Sequence, residues 1–183
     1  MNCPNCGAAL EFLPGRTHLR CPHCTSLVFP EPIGDGVVVL DEAHPHDCPA
    51  CRKPLATAAL DGERVGYCAD CRGILFSSEQ FARAVARRRD AQPARDRVIE
   101  PIDPRDLRRV LRCARCGRRM DTHAYGGGGN AVIDTCGHCR LVWLDAGELS
   151  VLGSYVPVRT VRSQVWDERS AVTFDDEFRL PGL

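Results

Sequence analysis

Three short apolar triplets punctuate an otherwise mixed chain: Leu27-Val28-Phe29, Ile74-Leu75-Phe76 and Val142-Trp143-Leu144. Each is too short for a helix and predicts a brief strand. After the second and third triplets the period changes. "SSEQFARAVARRR" sets Phe81 and Val85 four residues apart, and "DAGELSVL" sets Leu149 and Leu152 three apart, the spacing of one helical face. Ser77 with Gln80, and Asp145 with Glu148, stand where an N-cap and its reciprocal partner belong. A short helix is therefore expected after each of these triplets. Pro30 and Pro32 occupy that place after the first, so the chain should leave it extended. Another apolar run, Val37 to Leu40, predicts a linker or extra strand over residues 33–45.

What precedes each triplet explains the repeat. All 12 cysteines fall into CxxC pairs: Cys3/Cys6, Cys21/Cys24, Cys48/Cys51, Cys68/Cys71, Cys113/Cys116 and Cys136/Cys139. Taken in order they make three CxxC-loop-CxxC units, with loops of 14, 16 and 19 residues. Each triplet begins three residues after its unit's final cysteine. An apolar residue (Leu10, Leu55, Met120) follows each first pair at the same distance. Because whole units repeat, the expected pairing is sequential rather than interleaved.

Two facing CxxC turns offer four thiolates to one metal; the second and third loops fit the usual spacing of a tetrahedral zinc site, and the first is one residue short of it. Iron can take the same ligands. Gly7 and Gly117, directly after a second cysteine, suit a turn that needs positive φ. His23 and His138 lie between paired cysteines, but four thiolates already complete each set. Such a site has no vacancy for water or substrate, so the chemistry expected is structural and the protein non-enzymatic, without a small-molecule substrate. Units of about 30 to 45 residues bury too little apolar surface to fold without such a staple.

Composition adds two points. No apolar run approaches the length of a membrane span, and reduced, metal-binding thiols imply a cytoplasmic setting with no membrane partner. The net charge is zero, but it is unevenly spread. Residues 83–119 hold thirteen arginines against five acids, whereas residues 25–47 hold five acids and no Lys or Arg. Arg87, Arg88, Arg89, Arg108, Arg109 and Arg112 are the candidate phosphate contacts of a nucleic-acid surface. Neutrality and only 11 aromatic residues fit the alternative, a protein-interaction scaffold on which the acidic "WDERSAVTFDDEF" stretch could dock.

"CARCGRRM" followed by "VIDTCGHCRLVWLDAGELSVL" resembles the transcription-factor zinc-finger family of TFIIB-type ribbons. The matching positions are Cys113, Cys116, Gly117, Cys136, Cys139, Val142, Trp143, Leu144, Asp145, Glu148 and Leu149. Residues 48–90 resemble it more loosely, with Leu75 in place of Trp and Ser77 in place of Asp. The first unit resembles only a generic zinc ribbon. The resemblance implies zinc and an association with nucleic acid or transcription.

The expected fold is thus small, metal-bound and mainly β, with three tandem zinc ribbons and a short helix on the second and third. Its parts are ribbon 1 (1–32), the linker or strand (33–45), ribbon 2 with its helix (46–90), a Pro/Arg-rich spacer (91–110), ribbon 3 with its helix (111–155) and a tail (156–183). Three zinc ions, each held by four cysteines, complete it. Within the spacer, Asp103 and Pro104 mark a helix start, with Leu107, Val110 and Leu111 as its face.

Overall fold

A computed structural model describes residues 1–91, 101–126 and 130–154. The first ribbon is a three-stranded antiparallel sheet of β1 (Glu11–Phe12), β2 (Leu19–Arg20) and β3 (Leu27–Val28), in that order. Every later strand among the described residues belongs to one seven-stranded antiparallel sheet. Its strands are β4 (Val38–Asp47), β5 (Pro54–Leu60), β6 (Glu63–Tyr67), β7 (Ile74–Ser77), β8 (Asp121–Ala124), β9 (Val132–Cys136) and β10 (Leu141–Leu144). Their spatial order is β4-β5-β6-β7-β10-β9-β8. Helices α1 (Ser78–Ala91) and α2 (Glu148–Ser154) follow β7 and β10.

That order refines the expectation of tandem ribbons. Ribbons 2 and 3 are fused edge to edge through their return strands, with Phe76 opposite Val142, Leu75 opposite Trp143 and Ile74 opposite Leu144. Leu75 and Trp143 each lie four residues past their unit's last cysteine, so the two ribbons meet about a pseudo-two-fold axis through this pair. The linker's apolar run is indeed a strand: β4 pairs with β5 and extends the sheet at its edge.

Strand alternation assigns the two faces. Ile74, Phe76, Val142 and Leu144 point to one side, where Phe81, Val85, Leu149 and Leu152 close the core beneath the helices. Leu75 and Trp143 point to the other, against Leu55, Met120 and the cysteines of both ribbons. One helix layer and one layer of metal knuckles therefore sandwich the sheet. The triplets of ribbons 2 and 3 contribute to both layers because their side chains alternate.

Gly73 permits the fusion. A Cβ built there would fall 2.1 Å from Trp143 Cζ2, so only a bare Cα lets the indole cross from ribbon 3 into ribbon 2. Ribbon 1 rests on the larger body where the Gly15 amide meets the Gly62 carbonyl at 2.8 Å and the Arg64 guanidinium lies over the Phe12 ring. The N-terminal amine also pairs with Asp41.

Helix α1 starts as its sequence requires. The Ser77 hydroxyl accepts the Gln80 amide at 3.2 Å, and Gln80 Oε1 accepts the Ser77 amide at 2.9 Å. The spacer helix expected from Asp103 is not formed. Only a 3-10 turn, Asp106–Arg108, is present. The Asp103 carboxylate accepts the Arg105 amide but closes a local turn, and Leu107 and Val110 remain exposed. Too little chain separates this turn from Cys113 for a helix to bury an apolar face. The rest of the spacer, residues 92–100, and the acidic tail lie outside the described residues. So do 127–129 of the glycine run, although β8 and β9 flank that run as a hairpin and the Tyr125 amide reaches the Ala131 carbonyl.

Candidate metal centres

Each CxxC pair sits at a tight turn, and in five of the six the first cysteine carbonyl accepts an amide four residues on. Gly7, Thr25, Arg52, Arg72 and Gly117 donate these bonds to Cys3, Cys21, Cys48, Cys68 and Cys113 at 2.8 to 3.0 Å. The residue after the second cysteine is left-handed in all six turns: Gly7, Thr25, Arg52, Arg72, Gly117 and Arg140 have φ between 55° and 76°. Glycine signals this conformation at two of the six. The other four carry side chains in a region that costs an L-residue about 1–2 kcal/mol, so the knuckle geometry is imposed against local preference. The repeat itself was the available signal for them.

The turns bring together the three sequential sets: Cys3, Cys6, Cys21 and Cys24; Cys48, Cys51, Cys68 and Cys71; Cys113, Cys116, Cys136 and Cys139. Within each set all four sulfurs lie within 4.8 Å of one another. Cross-knuckle separations are 3.6 Å for Cys3–Cys24, 3.5 Å for Cys6–Cys21, 3.4 Å for Cys51–Cys68 and 3.7 Å for Cys116–Cys136. These are far too long for a disulfide at about 2.05 Å. They match the roughly 3.8 Å edge of a tetrahedron with 2.3 Å zinc–sulfur bonds. The three clusters are three zinc sites, one per sequential unit, as the spacing implied.

Backbone amides also serve the sulfurs. Cys24 donates to Cys21 Sγ at 3.5 Å, Cys51 to Cys48 Sγ at 3.4 Å and Arg115 to Cys113 Sγ at 3.4 Å. In every cluster one thiol is primed to ionise. The Ser26 hydroxyl brings Cys24 down to about 6, and the Arg118 amide brings Cys116 down to about 7. The Lys53 amide lowers Cys51. Burial raises Cys48, Cys71 and Cys113, thiols that a metal must deprotonate outright. Bound zinc would supply a fixed cross-link between knuckles. The protein's own groups orient the sulfurs and offset their charge.

His23 and His138 are exposed between their cysteines and belong to none of the ligand sets. His44 and His46, just before Cys48, pack edge to face at 5.4 Å, and burial lowers the His44 pKa.

Four of the six candidate phosphate-binding arginines are engaged by groups of the protein itself. Arg88 is half-buried, with Nε 2.8 Å from Asp61 Oδ2. Arg87 donates to the Asp61 carbonyl and lies 3.5 Å from Glu63. Arg89 Nε donates to the Leu152 carbonyl at 3.1 Å while its guanidinium lies over Tyr125. Arg109 is drawn inward, 2.5 Å from the fully buried Asp134 and paired with Asp145. Arg108 and Arg112 remain exposed. Arg112 lies on the first knuckle of ribbon 3, bridged to Arg119 and near Arg115 and Arg118 in the chain. All four of these arginines are exposed. The sequence marks these residues only as part of a long arginine-rich stretch. The turn around Cys113 and Cys116 gathers them in one place.

A family described as transcription factor zinc-finger matches the chain twice, over residues 47–87 and 112–154. Neither a curated protein nor a solved structure matches. The two matched stretches are the two ribbons fused through β7 and β10, each with its four cysteines, return strand and most or all of its helix. Residues 47–87 and 112–154 are thus two zinc ribbons that match the transcription factor zinc-finger family, joined edge to edge about Leu75 and Trp143.

Proposed function

We propose that the protein is a non-enzymatic binding module that meets a polyanion, nucleic acid above all, with the first knuckle of ribbon 3. The observation that carries this reading is the quartet Arg112, Arg115, Arg118 and Arg119. None of the four has a carboxylate partner among the described residues, whereas Arg83, Arg87, Arg88 and Arg109 are engaged by Glu63, Asp61, Asp134 and Asp145. Four guanidinium groups on a rigid turn suit phosphate contacts without base reading. The family's transcription-factor description supports the same direction. A second reading, a protein-interaction scaffold, draws support from ribbon 1, whose Leu27 and Phe29 are exposed.

Salt titration of binding to generic DNA tests the first reading. Changing Arg115, Arg118 and Arg119 to Gln should flatten the log–log salt slope by about 0.9 for each duplex phosphate that is no longer neutralised. Changing Arg87, Arg88 and Arg89 should leave the slope unaltered and lower thermal stability instead. Absence of binding at low salt would remove the nucleic-acid reading and leave the scaffold.

A further inference from the structure

Ribbon 1 has the same return strand as its sisters, yet that strand is used differently. Residues 74 and 76 of ribbon 2, and 142 and 144 of ribbon 3, are at most 3% exposed. Their counterparts by distance from the last cysteine are Leu27 and Phe29, which are 51% and 69% exposed. Two differences account for this. Pro30 and Pro32 replace the covering helix. The outer edge of β3, the edge through which β7 and β10 join, also pairs with no strand among the described residues.

We infer that a second copy of this chain docks on that edge, so that two first ribbons pair antiparallel through β3 as ribbons 2 and 3 pair through β7 and β10. The internal pair fixes the register. Leu75 and Trp143 face each other on its axis, and the residue at that position in ribbon 1 is Val28. Val28 therefore meets Val28 of the second copy, and Leu27 meets Phe29 in both directions. The exposed apolar residues of each copy become cross-strand neighbours of the other's, as Phe76 and Val142 are in the fused sheet.

The proline fits this arrangement. In the internal pair Ser78 donates to the Arg140 carbonyl at 2.8 Å, so by antiparallel alternation the next pair, Ser77 with Leu141, does not exchange ladder bonds. Pro30 occupies the place of Ser77, and its missing N–H costs that ladder nothing. Leu27 and Phe29 fall at bonding positions, where their amides and carbonyls are available. The same register places Glu31 opposite Thr25, so no like charges meet at the seam.

The test uses the full-length, zinc-loaded chain in sedimentation equilibrium over a wide concentration range, under reducing conditions. A monomer–dimer equilibrium is expected. Val28→Lys sets two ammonium groups against each other on the axis and should weaken dimerisation at least about tenfold. Its zinc content is checked to exclude unfolding. A second variant does not depend on disruption. In a non-bonded antiparallel pair the Cα atoms stand about 4.5 Å apart, within disulfide range. Val28→Cys should therefore form an intermolecular disulfide when diamide accepts the two electrons and protons, and Glu79→Cys should not. A monomer at every concentration overturns the inference. So does a dimer indifferent to Val28→Lys, or one in which Val28→Cys fails to cross-link. A monomer whose Leu27 and Phe29 amides resist hydrogen exchange also overturns it, since residues 155–183 of the same chain would then fill the edge.

Discussion

Asp35, in the linker after ribbon 1, caps the helix that carries Ser150. Its Oδ1 accepts the Ser150 amide at 3.2 Å and the Ser150 hydroxyl at 2.6 Å, while Oδ2 accepts the Gly147 amide at 2.8 Å. Local pattern assigns this role to Asp145, whose carboxylate is engaged elsewhere. Its Oδ1 accepts the Trp143 indole N–H at 3.0 Å, and Oδ2 pairs with Arg109. Glu148 still returns to the Asp145 amide at 2.7 Å, so half of the expected capping box is local and half comes from a residue more than a hundred positions away. An anionic side chain at the first turn also complements the helix dipole.

Asp35→Ala should therefore destabilise the body formed by ribbons 2 and 3, although Asp35 belongs to neither. The expected loss is about 1–2 kcal/mol, the range for removing an N-cap acceptor, measured by denaturant unfolding of the zinc-loaded protein. Asp35→Asn, which keeps an acceptor, should lose less. An unchanged midpoint for Asp35→Ala would mean that α2 is held by Leu149 and Leu152 alone.

Most of what is local or periodic was legible in the sequence, the helix expected from Asp103 and the Asp145 cap being the exceptions. The cysteine spacing gives the ligand sets, the triplets give β3, β7 and β10, and Phe81, Val85, Leu149 and Leu152 give the buried helix faces. Ser77 and Gln80 form the reciprocal cap their spacing requires. What was not legible depends on pairs of residues far apart. Nothing near Gly73 records that Trp143 will lie over it, and nothing near Asp35 points to α2. The arginines show the same limit. A charge run cannot reveal that Arg109 turns inward to Asp134 while Arg112 turns out, because that depends on which strand ends up beside each.

Gly73→Ala is the sharpest probe of the ribbon fusion. The added methyl would also meet the Leu144 carbonyl at 2.8 Å, and Trp143 is completely buried, so neither neighbour has room to withdraw. Overpacking of this kind costs about 1–3 kcal/mol. Trp143→Leu, which copies ribbon 2, should relieve the clash while leaving a cavity of its own. The double variant should then be more stable than the two separate losses added together. Simple additivity in a double-mutant cycle would deny the contact.

Glu148 gives this region a pH dependence of definite sign. Burial, opposed by Arg109 and reinforced by Asp134, raises its pKa from 4.5 to about 7. Between those values the folded protein binds a proton that the unfolded chain does not. The stabilisation from this group is full below about 4.5 and is lost as pH rises through about 7. Glu148→Gln retains an acceptor for the Asp145 amide and removes the titration. Relative to the parent, the variant should gain thermal stability from pH 6 to pH 8. Comparing the two proteins at each pH cancels the shared dependence of the zinc sites, and a constant difference across that range would contradict the assignment.

Removal of zinc should proceed in two stages set by the sheets. The cysteines of ribbons 2 and 3 share one apolar layer with Leu55, Leu75, Met120 and Trp143, and their return strands are hydrogen-bonded neighbours. Loss of either metal exposes Trp143 and opens the seam, so these two ions should leave together. Ribbon 1 has its own three-stranded sheet and meets the body at points that include Gly15 with Gly62 and Arg64 with Phe12. Its metal can go without disturbing the larger core. A strong chelator should therefore release one equivalent of zinc with little change in Trp143 fluorescence. Two further equivalents should follow, coincident with loss of that signal and of helical circular dichroism, because for such small units metal binding and folding are the same event. Cys21→Ser should remove the early equivalent and leave the later transition in place. Cys136→Ser should cost both zinc ions of the fused pair and spare ribbon 1. Retention of one zinc in ribbon 2 of that variant, with α1 intact, would show that the two ribbons fold independently despite their common sheet.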